Sequence, residues 1–221
     1  MKKFICILMA MLMLCVSFVA CDEKEESNED RIVPTYDSID FSNVDISKVS
    51  ESETETDYVI INVKIGDGDI RPIVIRLYPD VAPETVKNFK KLVSEKFYDG
   101  IIFHRVIEGF MIQGGDPDGD GMGGSKDTIK GEFNSNGFAN NLIHKRGVVS
   151  MARTNAPDSA SSQFFIVQKD YPSLNGKYAS FGYVVYGMDV VDDIAEMRTN
   201  SDDRPVNDVV MTSVRFAKVA E

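Results

Sequence analysis

Runs of β-branched apolar residues dominate the chain from residue 58 onward. The run Tyr58–Ile65 is rich in valine and isoleucine, Gly66–Asp69 has the composition of a turn, and Ile73–Leu77 returns as a second run of the same kind. Two such runs around a glycine-rich turn predict a β-hairpin.

Helical spacing of apolar residues begins after this hairpin. Pro83 suits the first turn of a helix, and the negative charge of Glu84 complements the helix dipole there. Apolar residues then recur on one helical face at Val86, Phe89, Leu92 and Val93. A second helix is predicted near Val190–Met197, and a last strand at Val209–Val214, after several short strands that are broken by glycine-rich loops.

These elements predict a mainly β domain over residues 58–221, which is long enough to bury a complete core. Many short strands with only two helices favour a closed antiparallel barrel that is capped at its ends.

The N-terminus has the pattern of a targeting segment. Lys2 and Lys3 supply positive charge, an uncharged apolar run covers residues 4–20, and a small residue precedes Cys21. This looks like a bacterial lipoprotein signal, in which residues 1–20 are removed and the cysteine is lipidated. It predicts anchoring to a bacterial membrane through acyl chains such as palmitate, with the domain outside the cytoplasm. A plain secretory signal and an uncleaved anchor helix remain the alternatives.

Residues 21–57 are predicted to be the lipidated cysteine and an acidic, flexible tether. From Asp22 to Asp57 there are thirteen acidic residues and three basic ones. Such a segment buries too little apolar surface to offset its ordering entropy, which favours a solvated spacer. Three short apolar groups leave open that part of it docks on the domain or on a partner: Ile32–Val33, Ile39–Phe41 and Val44–Ile46.

Charge and cysteine usage narrow the function further. The formal net charge is −11, which argues against nucleic acid as a partner because nucleic acid requires a basic face.

Cys6 and Cys15 lie in the predicted signal, so Cys21 alone would survive its removal. A secreted domain without a cysteine pair has no disulfide framework and must depend on its core.

Candidate chemistry concentrates in the run Phe103–Asp116, which is predicted to form two short strands around a Glu-Gly turn. Arg105 and Gln113 stand there among large apolar residues, with no Ser-His-Asp set and no reactive thiol beside them. A guanidinium in an apolar groove is costly unless it has a function. Binding and twisting a peptide bond, without cutting it, is the function that these residues suggest.

The same run resembles the cyclophilin family of peptidyl-prolyl cis-trans isomerases. The resemblance continues, in the order of the family, through Gly147–Arg153, Ser161–Ile166 and Leu174–Gly182. Four long blocks in order are far more specific than any one short motif. The resemblance implies a closed eight-stranded antiparallel barrel with a helix at each opening, rotation of X-Pro bonds without a covalent intermediate, and no cofactor or metal.

The resemblance also implies the site residues. Arg105 matches the catalytic arginine, and Phe165 matches a wall of the proline pocket. Gln113 matches the polar group near the substrate carbonyl and is a candidate for orienting Arg105. The substrate-binding set is His104, Phe110, Met111, Gln113, Ala152, Arg153, Gln163, Phe165, Leu174 and Tyr178.

Two residues of this region, Phe164 and His144, are predicted to lie outside the substrate-binding set. Phe164 is predicted to be core because strand alternation places it opposite Phe165. His144 is predicted to be a surface or loop residue.

Ser173 stands where many eukaryotic members carry tryptophan, so cyclosporin is expected to bind weakly while proline binding is retained.

A calcium-loop pattern occurs beside the candidate site. Asp116, Asp118 and Asp120 stand at the first, third and fifth positions of an EF-hand-like run, and Gly121 stands at the sixth. The bidentate glutamate is replaced by Asp127, and strand-like sequence precedes the run where a helix is required. We therefore interpret the run as a structural loop and predict no metal site.

Three functional hypotheses follow. The first is a lipid-anchored isomerase that assists folding of exported proteins by acting on their proline-containing segments. The second is a non-catalytic module or chaperone on the cell surface that binds such segments. The third is a surface adhesin or scaffold in which the acidic tether is the working part. Intact Arg105, Gln113 and Phe165 favour the first.

Overall fold

The computed structural model describes residues 32–220. The strands are β1 (Val49–Ser52), β2 (Tyr58–Ile65), β3 (Ile70–Leu77), β4 (Phe103–Ile107), β5 (Met111–Gly114), β6 (Val148–Met151), β7 (Phe164–Val167), β8 (Ser180–Tyr186) and β9 (Val209–Val219). The helices are α1 (Pro83–Ser94) and α2 (Met188–Ala195), with short 3-10 helices at Tyr36–Ser38, Ile46–Lys48, Asn134–Asn136 and Pro172–Leu174. The predicted signal peptide, Cys21 and residues 22–31 lie outside the described residues.

The predicted hairpin and helices are confirmed. Side chains of β2 alternate between buried and partly exposed, as the period of a strand requires. The α1 helix buries its predicted apolar face, and its first turn is capped by the buried Glu132 carboxylate, which accepts bonds from the backbone N–H groups of Glu84 and Thr85 at 3.1 and 2.8 Å. The ring of Phe89 packs against Tyr98, Phe164 and Phe181 in the core.

The strand count and the closure of the barrel differ from the prediction. The residues described here form one nine-stranded sheet in the order β1-β9-β2-β3-β8-β6-β7-β5-β4, and this order does not close on itself. All of its pairings are antiparallel. The eleven-residue β9 is long enough to pair with β2 along one edge and with β1 along the other. On that second edge, Ile102 just before β4 makes a bridge with Val210 of β9.

The ninth strand comes from the segment that the sequence predicted as a flexible tether. The stretch from Asp40 to Ser52 contacts the domain, as in the docked alternative, whereas Ile32 is 90% exposed. The Phe41 ring lies 4.9 Å from the Tyr183 ring and 6.2 Å from the Tyr78 ring, between centroids. Asp40 forms an ion pair with Arg76, and Val44 N–H donates to the Val185 carbonyl at 3.0 Å. Local apolar side chains and a β-ladder therefore offset the ordering entropy.

No helix of residues 32–220 is both long enough and apolar enough to cross a membrane.

Candidate active site

The β4–β5 hairpin carries the candidate catalytic residue. Its turn closes through a bond from Phe110 N–H to the Ile107 carbonyl at 3.1 Å, and Gly109 takes the left-handed conformation there, with φ of +75°. The register pairs Arg105 with Gln113 and, on the next strand, Gln113 with Phe165. Because directly paired residues share one face of a sheet, these three side chains form a row across β4, β5 and β7.

This row faces a groove of about 620 Å³. Ten of the predicted site residues line it, which are His104, Arg105, Phe110, Met111, Gln113, Ala152, Arg153, Phe165, Leu174 and Tyr178. The groove therefore has apolar walls and a guanidinium, which suits an apolar ring beside a polar amide.

Gln163, the remaining predicted residue, lines a smaller neighbouring pocket of about 380 Å³. Its side-chain oxygen accepts a bond from the Gln113 amide at 2.8 Å, and its own amide donates to the Gly123 carbonyl at 2.7 Å. Gln113 is thus held by Gln163, and its hydrogen bond does not go to Arg105.

Arg105 is paired instead with a residue that the sequence analysis did not single out. Its Nε lies 3.4 Å from Oδ2 of Asp203, in the loop between α2 and β9, and its side chain is 42% exposed. Asn200, Asp202 and Arg204 of the same loop also line the groove. Their polar run is typical of a turn, and no local signal places it beside a strand about a hundred positions earlier.

His144 lies in a loop before β6, which is one half of the prediction, but it is buried and not a surface residue. Its side chain lies behind the groove wall, with Nε2 3.0 Å from the Ser150 hydroxyl and Nδ1 3.3 Å from the Asn175 side-chain oxygen. The imidazole is stacked on Phe165, with ring centroids 6.0 Å apart, and meets Tyr178 edge-on. Burial lowers the pKa of His144 to about 4 and outweighs the hydrogen bond with Asn175, which raises it.

The other candidate histidine also lies at the groove. His104 is largely buried while lining the groove, and its Nδ1 has no hydrogen-bond partner within residues 32–220. Burial lowers the pKa of His104, against the opposing effect of the Asp116 carboxylate. The side chain is therefore neutral near pH 7 and adds no charge to the groove.

Arg153 forms part of the rim. Its guanidinium lies between the rings of Phe133 and Tyr178, 4.8 and 4.9 Å from their centroids, and donates twice to the Lys177 carbonyl, at 3.0 and 2.8 Å. Cation–π contacts of this kind fix an otherwise flexible side chain. Arg153 thereby holds Tyr178 in place beside the groove.

The prediction for Phe164 is confirmed, since it is buried and its ring packs against Phe89, Tyr98 and Phe103. Strand alternation therefore places Phe164 in the core and Phe165 at the groove.

The acidic run that begins at Asp116 forms hydrogen bonds within its own loop. The buried Asp116 carboxylate accepts bonds from the N–H groups of Asp118 and Gly121 at 2.9 and 2.6 Å. Burial raises the pKa of Asp116, and the bonds from backbone N–H groups outweigh this effect and lower it. In residues 32–220, no group of three His, Cys, Asp or Glu side chains is placed to hold a metal ion.

The structure therefore combines an all-antiparallel sheet with a groove that has apolar walls and the Arg105 guanidinium. A family model described as cyclophilin type peptidyl-prolyl cis-trans isomerase/CLD matches residues 59–216. Peptidyl-prolyl cis-trans isomerase B of Escherichia coli is 46% identical over 160 residues, which cover 66% of this chain and 94% of that protein. Arabidopsis thaliana CYP71 is 37% identical over 203 residues, which cover 89% of this chain but 30% of that longer protein.

A solved structure agrees with these relatives. The crystal structure of a Cryptosporidium parvum cyclophilin type isomerase, in the presence of the dipeptide Ala-Pro, has a TM-score of 0.64 and 29% identity, and covers 72% of this chain and 98% of that one. The chain belongs to the cyclophilin family, and its activity is that of a peptidyl-prolyl cis-trans isomerase.

Proposed function

We propose that Arg105 is the catalytic residue of this isomerase and that the apolar groove beside it binds the proline ring. The observation that supports this most directly is the row of Arg105, Gln113 and Phe165 across three adjacent strands. It places a guanidinium and an amide beside an aromatic wall, so that one X-Pro unit can contact all three.

Rotation of an X-Pro bond is opposed by about 18–20 kcal/mol because the C–N bond is partly double. The planar amide is strongly dipolar, whereas the twisted amide has a pyramidal nitrogen with a lone pair. An apolar wall formed by Phe110, Met111, Phe165 and Leu174 therefore favours the twisted state relative to the planar one. Only such differential stabilisation accelerates the rotation.

The guanidinium adds a directional contribution. Arg105 donates to the nitrogen lone pair or to the rotating carbonyl oxygen, and one charge-assisted hydrogen bond contributes roughly 1.5–3 kcal/mol. Accelerating an uncatalysed exchange of tens to hundreds of seconds to about 10³ per second requires about 6–7 kcal/mol. The groove must therefore supply much of the remainder.

We expect residues 32–221 to accelerate cis–trans exchange of an Ala-Pro peptide at substoichiometric concentration, because the groove is complete in this part of the chain. Exchange spectroscopy by NMR measures the rate, and line broadening of the same peptide reports binding. An Ala-Ala peptide of equal length is the matched control and should neither bind nor exchange. Binding of Ala-Pro without faster exchange would favour the non-catalytic module.

The clients of the enzyme are, in this proposal, proline-containing segments of exported proteins. The support lies in the sequence: residues 1–20 resemble a lipoprotein signal and Cys21 follows them, a pattern typical of domains that are anchored by lipid outside the cytoplasm. An enzyme held there meets extended chains as they emerge from export.

Lipidation at Cys21 makes a separate prediction. The full chain, expressed in a bacterium, should be recovered with the membrane and incorporate a labelled palmitate analogue, because acyl chains anchor it. Cys21→Ala should lose the label and prevent processing as a lipoprotein, with isomerase activity unchanged. A wild-type chain that is unlabelled would overturn the anchor and leave the isomerase intact.

A further inference from the structure

The loop between α2 and β9, residues 196–208, is held by hydrogen bonds to the side chain of Asn200. The Asn200 side-chain oxygen accepts bonds from the N–H groups of Asp202 and Arg204, at 2.9 and 3.0 Å. The Asn200 N–H donates to the Arg204 carbonyl at 2.9 Å, and the Asp203 N–H donates to the Asn200 carbonyl at 3.2 Å. These bonds give the loop a defined conformation from within.

The loop is joined to the groove at two points. The Asp203 carbonyl accepts a bond from Val106 N–H at 2.8 Å, directly beside Arg105 in β4. In addition, the Arg204 guanidinium donates to the Gly119 carbonyl at 3.1 Å, in the acidic loop that also lines the groove. The loop therefore connects the strand that carries Arg105 with the acidic loop.

Asp203 has an uncommon backbone conformation. Its φ is +62°, in the left-handed region that residues other than glycine rarely adopt. Aspartate and asparagine tolerate this region better than other side chains do, and such conformations persist where surrounding contacts determine them. Here the contact with Val106 N–H fixes the backbone, and the conformation directs the carboxylate to the Arg105 Nε at 3.4 Å.

We propose that Asp203 is a positioning residue for the catalytic arginine. The ion pair uses Nε of Arg105, so the two terminal amino groups remain available to donate toward a peptide in the groove. A long arginine side chain has several rotamers, and a carboxylate that holds Nε restricts it to those in which the planar fork faces the substrate. This inference rests on the proposed catalytic role of Arg105.

Asp203→Asn is the variant that isolates the carboxylate. Asparagine tolerates the same φ and keeps the backbone bond to Val106, so the loop should keep its shape. We expect kcat to fall about two- to fivefold, the range of a partly exposed ion pair, with KM little changed because Asp203 does not line the groove. The measurement is exchange spectroscopy on an Ala-Pro peptide over a range of peptide concentrations.

Further measurements separate positioning from a structural role. The Nε–Hε resonance of Arg105 should shift in Asp203→Asn, and solvent exchange of that proton should become faster. Asp69→Asn removes the same charge at an exposed turn outside the groove lining and should leave kcat and the resonance as in wild type. In an Arg105→Ala background, Asp203→Asn should have no further effect on the residual rate.

The outcomes distinguish this inference from the role on which it rests. If Arg105→Ala retains full activity, the catalytic role of Arg105 is overturned. If Arg105→Ala loses most of its activity while Asp203→Asn matches wild type in kcat and in the Arg105 resonance, only the positioning role of Asp203 is overturned. An equal loss from Asp203→Asn with and without Arg105 would also overturn it.

Discussion

Arg105→Ala is expected to lower kcat/KM for an Ala-Pro peptide about 10- to 150-fold while peptide binding is largely retained. The range follows from removing one charge-assisted hydrogen bond that is worth roughly 1.5–3 kcal/mol in the transition state, at about 1.4 kcal/mol for each factor of ten. The apolar wall formed by Met111 and Phe165 stays in place, so the affinity for proline should change little. Exchange spectroscopy gives the rate, and a peptide titration gives the affinity.

Two variants serve as controls for this experiment. Arg105→Lys keeps the positive charge but loses the planar fork, so we expect it to restore only part of the rate. Arg71→Ala removes a guanidinium that pairs with Asp189 and Asp193, outside the groove lining, and should leave the rate unchanged. A folded Arg105→Ala protein with exchange within twofold of wild type would contradict the assignment.

Elements set by local pattern could be predicted from the sequence. The alternation of β2 and the one-sided apolar spacing of α1 each follow from the period of the element, and both are present with nearly the predicted bounds. By contrast, β1 has the sequence Val-Ser-Glu-Ser, which carries almost no strand signal. It exists because β9 is long enough to offer a free edge, and that is a property of a distant segment.

The same distinction applies to the groove. Arg105, Gln113 and Phe165 lie within motif blocks, so the resemblance alone predicts that they share one site, and all three line the groove. Asp203 and His144 could not be found in this way, since each depends on contacts between distant parts of the chain. Asp203 lies in a turn-like run that carries no local sign of a partner in β4. His144 precedes two basic residues, and nothing in that sequence predicts that it lies behind Phe165.

The buried His144 makes the second large prediction, which concerns acid. Because its folded pKa is about 4 and the ordinary histidine value is 6.5, the unfolded chain binds a proton that the folded chain does not between these two values. The stability from burying the neutral ring is therefore complete above pH 6.5 and is lost as pH falls toward 4. This group alone should lower the free energy of unfolding by about 3 kcal/mol between pH 7 and pH 4.

His144→Gln tests this, because glutamine is neutral throughout that range and can still bond to Ser150. We expect the variant to be less stable than wild type at pH 7 and the difference to shrink steadily as pH falls to 4, measured by urea unfolding. His104 also has a lowered pKa, so part of the wild-type pH dependence should remain in the variant. The His144 ring proton, followed by NMR, should titrate near pH 4. The prediction fails if the ring titrates near 6.5, or if the free energy of unfolding of the variant runs parallel to that of wild type at every pH. Protonation of His144 would then not account for the loss of stability in acid.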